Sequence, residues 1–396
     1  MKKIILAFIC LILYSNKSEA QEVVAKSKNS SLSWETADGA FSWKLSGRFY
    51  FDAAKYFDDK TDLGNGTELR DFRLGVEVKF EKNWLAKIDA GLAGGVTAAK
   101  DIFLQYGIDK VSYVRAGHFA EPFGLDYMES SKATKFLAPN SATEAFAPGR
   151  KIGLEYVKWG NKYWLAGGLF GDGDLNNTSA GDEGYSVTGR FVFKPIIKEG
   201  SIVHLGLAGT YRTADAVGFD ADGNELTKNI RYRSRAETHV EGRRFIDAKI
   251  TNAVAETKYA VEFIGALKPV ALQAEYFGAS VNREDSFKTY TSNGWYAQAS
   301  WQITGKNYKY SNSWSRLSDP DPKTLELVVR YNQVDLNDSG ADIFGGLQKD
   351  ISVGLNYHVN KSVKLRLNYS NIDLDEYALN GKENFGLIQT RLQFAF

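Results

Sequence analysis

The sequence predicts an all-β chain closed into a membrane-spanning antiparallel barrel of about sixteen strands, with one long loop folded into its lumen. Three observations lead there. Apolar and polar residues alternate along stretch after stretch from about residue 43 to the end; several stretches reach ten residues or more; and after residue 20 no apolar run is long enough for a membrane helix. Soluble strands most often run to about 5–6 residues, whereas about 9–11 are needed to cross a bilayer at a tilt. A sandwich of this many strands would also leave edges to be blunted, and a closed barrel has none. The composition agrees: 13% aromatic residues and 37 glycines against 7 prolines suit pleated surfaces, turns and close strand contacts.

The N-terminus is set apart from the barrel. Lys2 and Lys3 precede an apolar run from Ile4 to Tyr14, and Ser18-Glu19-Ala20 before Gln21 offers the small residues that a signal peptidase reads. Residues 1–20 are therefore expected to be a signal peptide, residues 21–40 an unpaired periplasmic lead-in rich in Ser, Lys and Glu, and residues 41–396 the barrel. The single cysteine, Cys10, falls in the signal segment, so no disulfide or cysteine metal site is expected in the remainder. Lys2, Lys3, Lys17 and Glu19 leave with that segment. What remains of 49 basic and 48 acidic residues is close to neutral, and no global charge excess points to nucleic acid.

The strands follow in order. In WKLSGRFYFDAAKYF, Trp43, Leu45, Phe49 and Phe51 share one parity, and Lys44, Ser46, Arg48, Tyr50 and Asp52 the other. FRLGVEVKF sets Phe72, Leu74, Val76 and Val78 against Arg73, Gly75, Glu77 and Lys79, and WLAKIDAGL follows after a tight turn near Glu81–Asn83. Further strands are expected near 100–109, 111–119, 151–159, 162–171, 185–194, 202–212, 257–267, 270–281, 294–304, 324–335, 349–359, 361–372 and 385–396. Short turns at Asp109-Lys110, Gly160-Asn161, Lys268-Pro269 and Asn360 alternate with longer loops near 58–68, 120–150, 172–184, 213–256, 282–293, 305–323, 336–348 and 373–384. Short connections on one side and long ones on the other are the mark of an outer-membrane barrel, so the outer membrane of a Gram-negative bacterium is the expected location and its lipid a partner.

Catalysis has little support. His118, His204, His239 and His358 sit in no metal-binding spacing, and no nucleophile elbow or phosphate-cradling glycine loop occurs. An outer-membrane hydrolase would need a nucleophile and base on the outer wall, whereas Ser300 and His358 fall at inward parity. The polar parity is more informative. Lys44, Arg48, Arg73, Lys79, Lys87, Arg190, Lys194, Arg212, Arg330, Lys364, Arg366 and Arg391 face the expected lumen beside Asp52, Asp71, Glu77, Asp89, Glu155, Glu262, Glu275 and Glu326. A mixed-charge wall without selectivity and an anion path lined by Arg and Lys are both compatible with this; rings of basic residues are the device of anion pores. Residues 120–150 lack alternation yet carry Phe123, Tyr127, Phe136, Leu137 and Phe146, so they are expected to pack rather than stay disordered, and folding inward would place Lys132, Lys135 or Arg150 near the path.

The segments GHFAEPFGLDYMESSKATKF, AFAPGRKIGLEY, SRAETHVEGRRFIDAKI and VALQAEYFGASVNR, in that order, together resemble the phosphate-selective porin O and P family. The C-terminal QTRLQFAF, ending on Phe396, also looks like the sorting signal read by the barrel assembly machinery. The resemblance implies a homotrimer of sixteen-stranded barrels whose third long loop folds into the channel, basic residues along an anion path, and passive diffusion without cofactor. By match to the family's basic segment opening the second strand, Arg70 and Arg73 in LRDFRLG are implied at the constriction, and Ser130, Ser131 and Lys132 by match to its folded loop. Small anions, phosphate foremost, are the expected solute. Asp71 departs from the family's denser positive charge, which keeps open a non-selective or sugar-type porin; a surface adhesion barrel would instead use loop 213–256 with its RYRSR cluster.

Overall fold

The computed structural model describes residues 23–28, 31–95, 97–173, 182–219, 223, 225–227, 229–284 and 286–396. The expected signal peptide lies outside the described residues. Sixteen antiparallel strands form a closed ring: β1 Phe41–Phe57, β2 Gly66–Phe80, β3 Trp84–Gly91, β4 Ala98–Asp109, β5 Ser112–Ala120, β6 Arg150–Trp159, β7 Tyr163–Gly171, β8 Tyr185–Lys198, β9 Ser201–Thr213, β10 Ala253–Leu267, β11 Val270–Arg283, β12 Tyr290–Gln302, β13 Thr324–Asp338, β14 Ile343–His358, β15 Val363–Leu374 and β16 Glu383–Ala395. Each strand pairs with the next in sequence, and β16 returns to β1 from Gly386↔Phe57 to Ala395↔Arg48. Phe396 extends that seam: its N–H donates to the Gly47 carbonyl (2.9 Å) and its carbonyl accepts from Gly47 (3.3 Å). The Phe396 ring lies over Gly47, where a Cβ would stand 2.5 Å from it and the ring would have to move aside.

Burial runs opposite to that of a soluble protein. On β9, Leu205 and Leu207 are exposed while His204, Thr210 and Arg212 are buried, and the same reversal holds around the ring. Apolar side chains on the outer face and charged ones inside are what lipid outside and water inside require, and a sandwich core would show the reverse. Phe41, Phe80, Trp84 and Tyr106 neighbour one another at the short-turn end of β1–β4, with ring centroids 4.9–6.3 Å apart, as part of an aromatic girdle.

Two expectations are corrected. The 21–40 segment is paired: residues 23–28 and 31–36 form a hairpin whose second strand binds β1 at Leu32↔Leu45 to Glu35↔Ser42. It takes the part of the β1 edge that β16 leaves free, because β16 begins pairing only at Arg48. The connection at 303–323 lies on the short-turn side, where the others have two to four residues. In addition, β14 begins at Ile343, so the expected 336–348 loop shrinks to 339–342. The ladder continues there without strict alternation, because backbone pairing beyond the bilayer needs no lipid-facing side chain.

Candidate functional site: the bore beside the inward loop

The loop between β5 and β6, residues 121–149, folds into the lumen and holds two short helices, α1 Leu125–Met128 and α2 Ser141–Phe146. The wall grips it by its polar backbone. The Glu275 carboxylate on β11 accepts from the N–H groups of Leu125 and Asp126 (2.5 and 2.8 Å), satisfying the free donors of the first turn of α1. Gly124, with φ 75°, makes the preceding turn, a conformation that costs other residues more. Asn140 caps α2 by accepting from the Thr143 N–H (2.8 Å), and its amide reaches Asp126 (2.9 Å). Ser141 bonds Asn332 and Asp350, and the Lys132 carbonyl accepts from Lys364, Arg366 and Gln393 (2.9–3.2 Å). A second inward segment lies beside it. The hairpin 230–234 with 246–250, between β9 and β10, shares one apolar cluster with Phe123, Phe146 and the inward-facing Phe277 and Tyr290. Within the RYRSR stretch, Arg235 pairs with Glu144 of α2, which turns that end of the segment inward.

These segments cover the β8–β16 side of the lumen, where Arg190, Arg330, Arg366 and Arg391 are buried. The β1–β6 side stays partly open, with Arg48, Arg70, Arg73, Lys87, Lys100 and Arg150 only half-buried. Arg48 and Arg73 share Asp71 (2.8 and 3.3 Å), Arg73 also reaches Asp89 (3.5 Å), and Lys87 and Arg150 share Asp101 (3.1 and 2.8 Å). Arg48 contacts the Ser130 hydroxyl at 3.5 Å and Tyr50 the Ser131 hydroxyl at 3.4 Å, which brings the loop tip to this wall. Lys132 at the tip is exposed to the bore, yet protein surrounds it. Burial, then Arg48, holds its ammonium below the ordinary value; Lys44 and Lys87 act in the same sense and Asp319 opposes them.

Arg70 arrives by a bulge. The β1–β2 register slips between Tyr50↔Asp71 and Phe51↔Leu69, leaving Arg70 unpaired. An extra residue re-aims a strand, and here both Arg70 and Asp71 turn inward although they are adjacent. The Arg70 guanidinium lies 2.8 Å from Nε2 of His239, in the loop between β9 and β10. Burial, then the neighbouring arginines 70, 235, 391 and 244, holds that imidazole well below its usual range. A neutral His239 adds no charge of its own beside Arg70, whose nearest carboxylates are Glu68, Asp71 and Asp52.

Of the residues expected at the constriction, Arg73, Lys87, Ser130, Ser131, Lys132 and Arg150 share this open face, and Arg70 joins them through its bulge. Lys135 does not. It is buried and paired with Glu326 (2.7 Å), its ammonium 5.0 Å from the centre of the Tyr308 ring; burial opposes its charge, but Glu326 holds the ammonium above its ordinary value. The chain from Lys132 turns into the wall through the Ser130 carbonyl, which accepts from Ala133 (2.7 Å), and this tucks Lys135 beneath the tip. Lys100 and Asp101 were missed as site residues, because a second register slip, between Ile88 and Ala90 on β3, interrupts the parity there. Ser300 bonds Tyr308 (2.8 Å), while His358 faces Glu326 (3.8 Å).

The profile of the family described as "Phosphate-selective porin O and P" matches residues 43–396. Porin O of Pseudomonas aeruginosa is 24% identical, the match covering 96% of this chain and 94% of the relative. Among solved structures, the chain is similar to an anion-selective porin from Comamonas acidovorans (TM-score 0.60, 13% identity, covering 90% of this chain and all of that one) and to the trimer form of OmpT, an outer-membrane protein of Vibrio cholerae (TM-score 0.58, 12% identity, covering 90% and all of that chain). With a closed sixteen-stranded wall, a basic bore and a profile match over nearly the whole barrel, this chain belongs to the phosphate-selective porin O and P family of the outer membrane.

Proposed function

We propose that this porin passes small anions by passive diffusion, phosphate-like oxyanions foremost. The observation that carries this reading is the composition of the open face: Arg48, Arg70, Arg73, Lys87, Lys100, Lys132 and Arg150 outnumber the carboxylates among them, Glu68, Asp71, Asp89 and Asp101. Arg70 and Arg73 are half-buried, so part of each side chain still meets the bore. A planar fork suits the paired oxygens of phosphate or carboxylate. The shared carboxylates soften the site: Asp71 already engages Arg48 and Arg73, which keeps binding weak enough for release, and several such sites in series allow conduction.

Diffusion down a gradient needs no cofactor. We further read the protein as a homotrimer, as the trimer form of the OmpT structure suggests, and as a substrate of the barrel assembly machinery through its terminal strand and Phe396. The test is a phosphate titration of chloride current through single channels. Wild-type current falls as phosphate is added, and Arg73→Ala weakens that inhibition by about threefold to tenfold, roughly 1 kcal/mol for a charge contact in a wet bore. Equal inhibition in both proteins would remove Arg73 from the path, and no inhibition in either would favour a non-selective or sugar-type porin.

A further inference from the structure

The connection 303–323 between β12 and β13 is anomalous for the short-turn side, and it does not hang free. It lies along the inner wall. Tyr308 is fully buried: its hydroxyl donates to Glu326 (2.6 Å), bonds Ser300 (2.8 Å), and its carbonyl accepts from Gly200 (3.0 Å). Residues 310–311 and 316–317 form a small hairpin whose Tyr310 bonds Nδ1 of His204 (2.7 Å), while Asn312 accepts from Lys194 (3.1 Å) and the Ser313 carbonyl accepts from Trp164 (3.1 Å). Those partners sit on β7, β8, β9, β12 and β13, so the segment covers nearly one half of the bore at its inner end. It also meets the inward loop: Leu125 of α1 shares an apolar cluster with Tyr308 and Leu317, and Lys135 lies over the Tyr308 ring.

The hairpin and the residues just after it carry charge. Asp319 is exposed and Arg316 half-exposed, and neither makes an ion pair within the described residues. Both act on the inward loop: Arg316 opposes the upward shift of the Glu129 carboxyl, and Asp319 bears on Lys132. Asp319 is exposed two residues beyond Leu317, which packs with Leu125 of the inward loop, so the segment carries this carboxylate beside that loop.

We propose that Arg316 and Asp319 are specificity-determining residues at the inner mouth, where an anion leaving the basic face passes between the 303–323 segment and the tip of the inward loop. Asp319 is the chain's own competitor for Lys132: it lowers the dwell of an anion there and so favours release. This rests on the anion reading for the direction of flow, and not for the position of the residues.

The test uses Asp319→Cys in the full-length porin with Cys10 absent, reconstituted in planar bilayers, with a reversal potential taken in a KCl gradient before and after thiol modification confirmed by mass. The cysteine variant favours chloride over potassium more than wild type does. A cationic methanethiosulfonate raises that ratio further, by about twofold to threefold for one charge at contact range in water. The anionic reagent returns the ratio to that of wild type, and Arg316→Gln moves it downward. Complete modification with no change in the ratio would overturn the proposal. Opposite shifts from the two reagents in a channel that prefers cations would uphold this placement while refuting the anion reading.

Discussion

Glu129 shows how one residue of the inward loop ties selectivity to pH. Burial pushes its carboxyl up to about 7; Asp126 and Asp319 act the same way, while Arg316 and Lys135 act against it. Below that value the group is neutral and the bore is more positive; above it, a negative charge is added beside the path. Anion preference should therefore rise as the pH falls from 8 to 6, and Glu129→Gln should hold the low-pH selectivity across the whole range, both read from reversal potentials. At this scale the sequence was legible where alternation was regular: parity placed Arg73 and Lys87 inside. Parity alone sent Arg70 outward, and only the family resemblance brought it in, because a bulge is invisible to alternation. Lys135 was misplaced because a loop without periodicity does not reveal which of its side chains turn into the wall.

At the scale of elements, the inward loop stays in place through many bonds to one wall. The Lys135–Glu326 pair is one of the deeply buried ion pairs among these, and removing one partner leaves a charge stranded in a dry site. Lys135→Met should cost about 3–5 kcal/mol locally and speed amide exchange of residues 121–149, while the barrel amides stay protected; uniform exchange change across both would contradict this division. All sixteen strands were legible from the sequence, because lipid imposes a two-residue period along most of each one, the bulges on β1–β2 and β3–β4 being local interruptions. The 303–323 connection was read as one more long outer loop. Its turn residues say that the chain leaves a strand, not on which side of the membrane it does so; counting strands does, and the count puts it on the inner side, where its Tyr308 and Leu317 are buried.

The whole molecule follows from one inversion, in which lipid touches the apolar parity and water the polar one. A charge placed on the outer wall should then be costly. Leu207, 56% exposed at the middle of β9, faces lipid, and Leu207→Arg should destabilise the folded barrel by about 2–4 kcal/mol in vesicle unfolding. A soluble sandwich would tolerate an arginine at such an exposed site within about 0.5 kcal/mol. The inner half of the inversion bears on function: inward segments cover the β8–β16 side, and the proposed anion path follows the basic β1–β6 face.

The direct measure of that claim is the zero-current potential of the purified porin in a planar bilayer separating concentrated from dilute KCl. The account predicts a potential of the sign set by chloride as the more permeant ion, shrinking towards zero as salt rises and screens the basic face. A potential of zero at low salt, or one of the sign set by potassium, would contradict it.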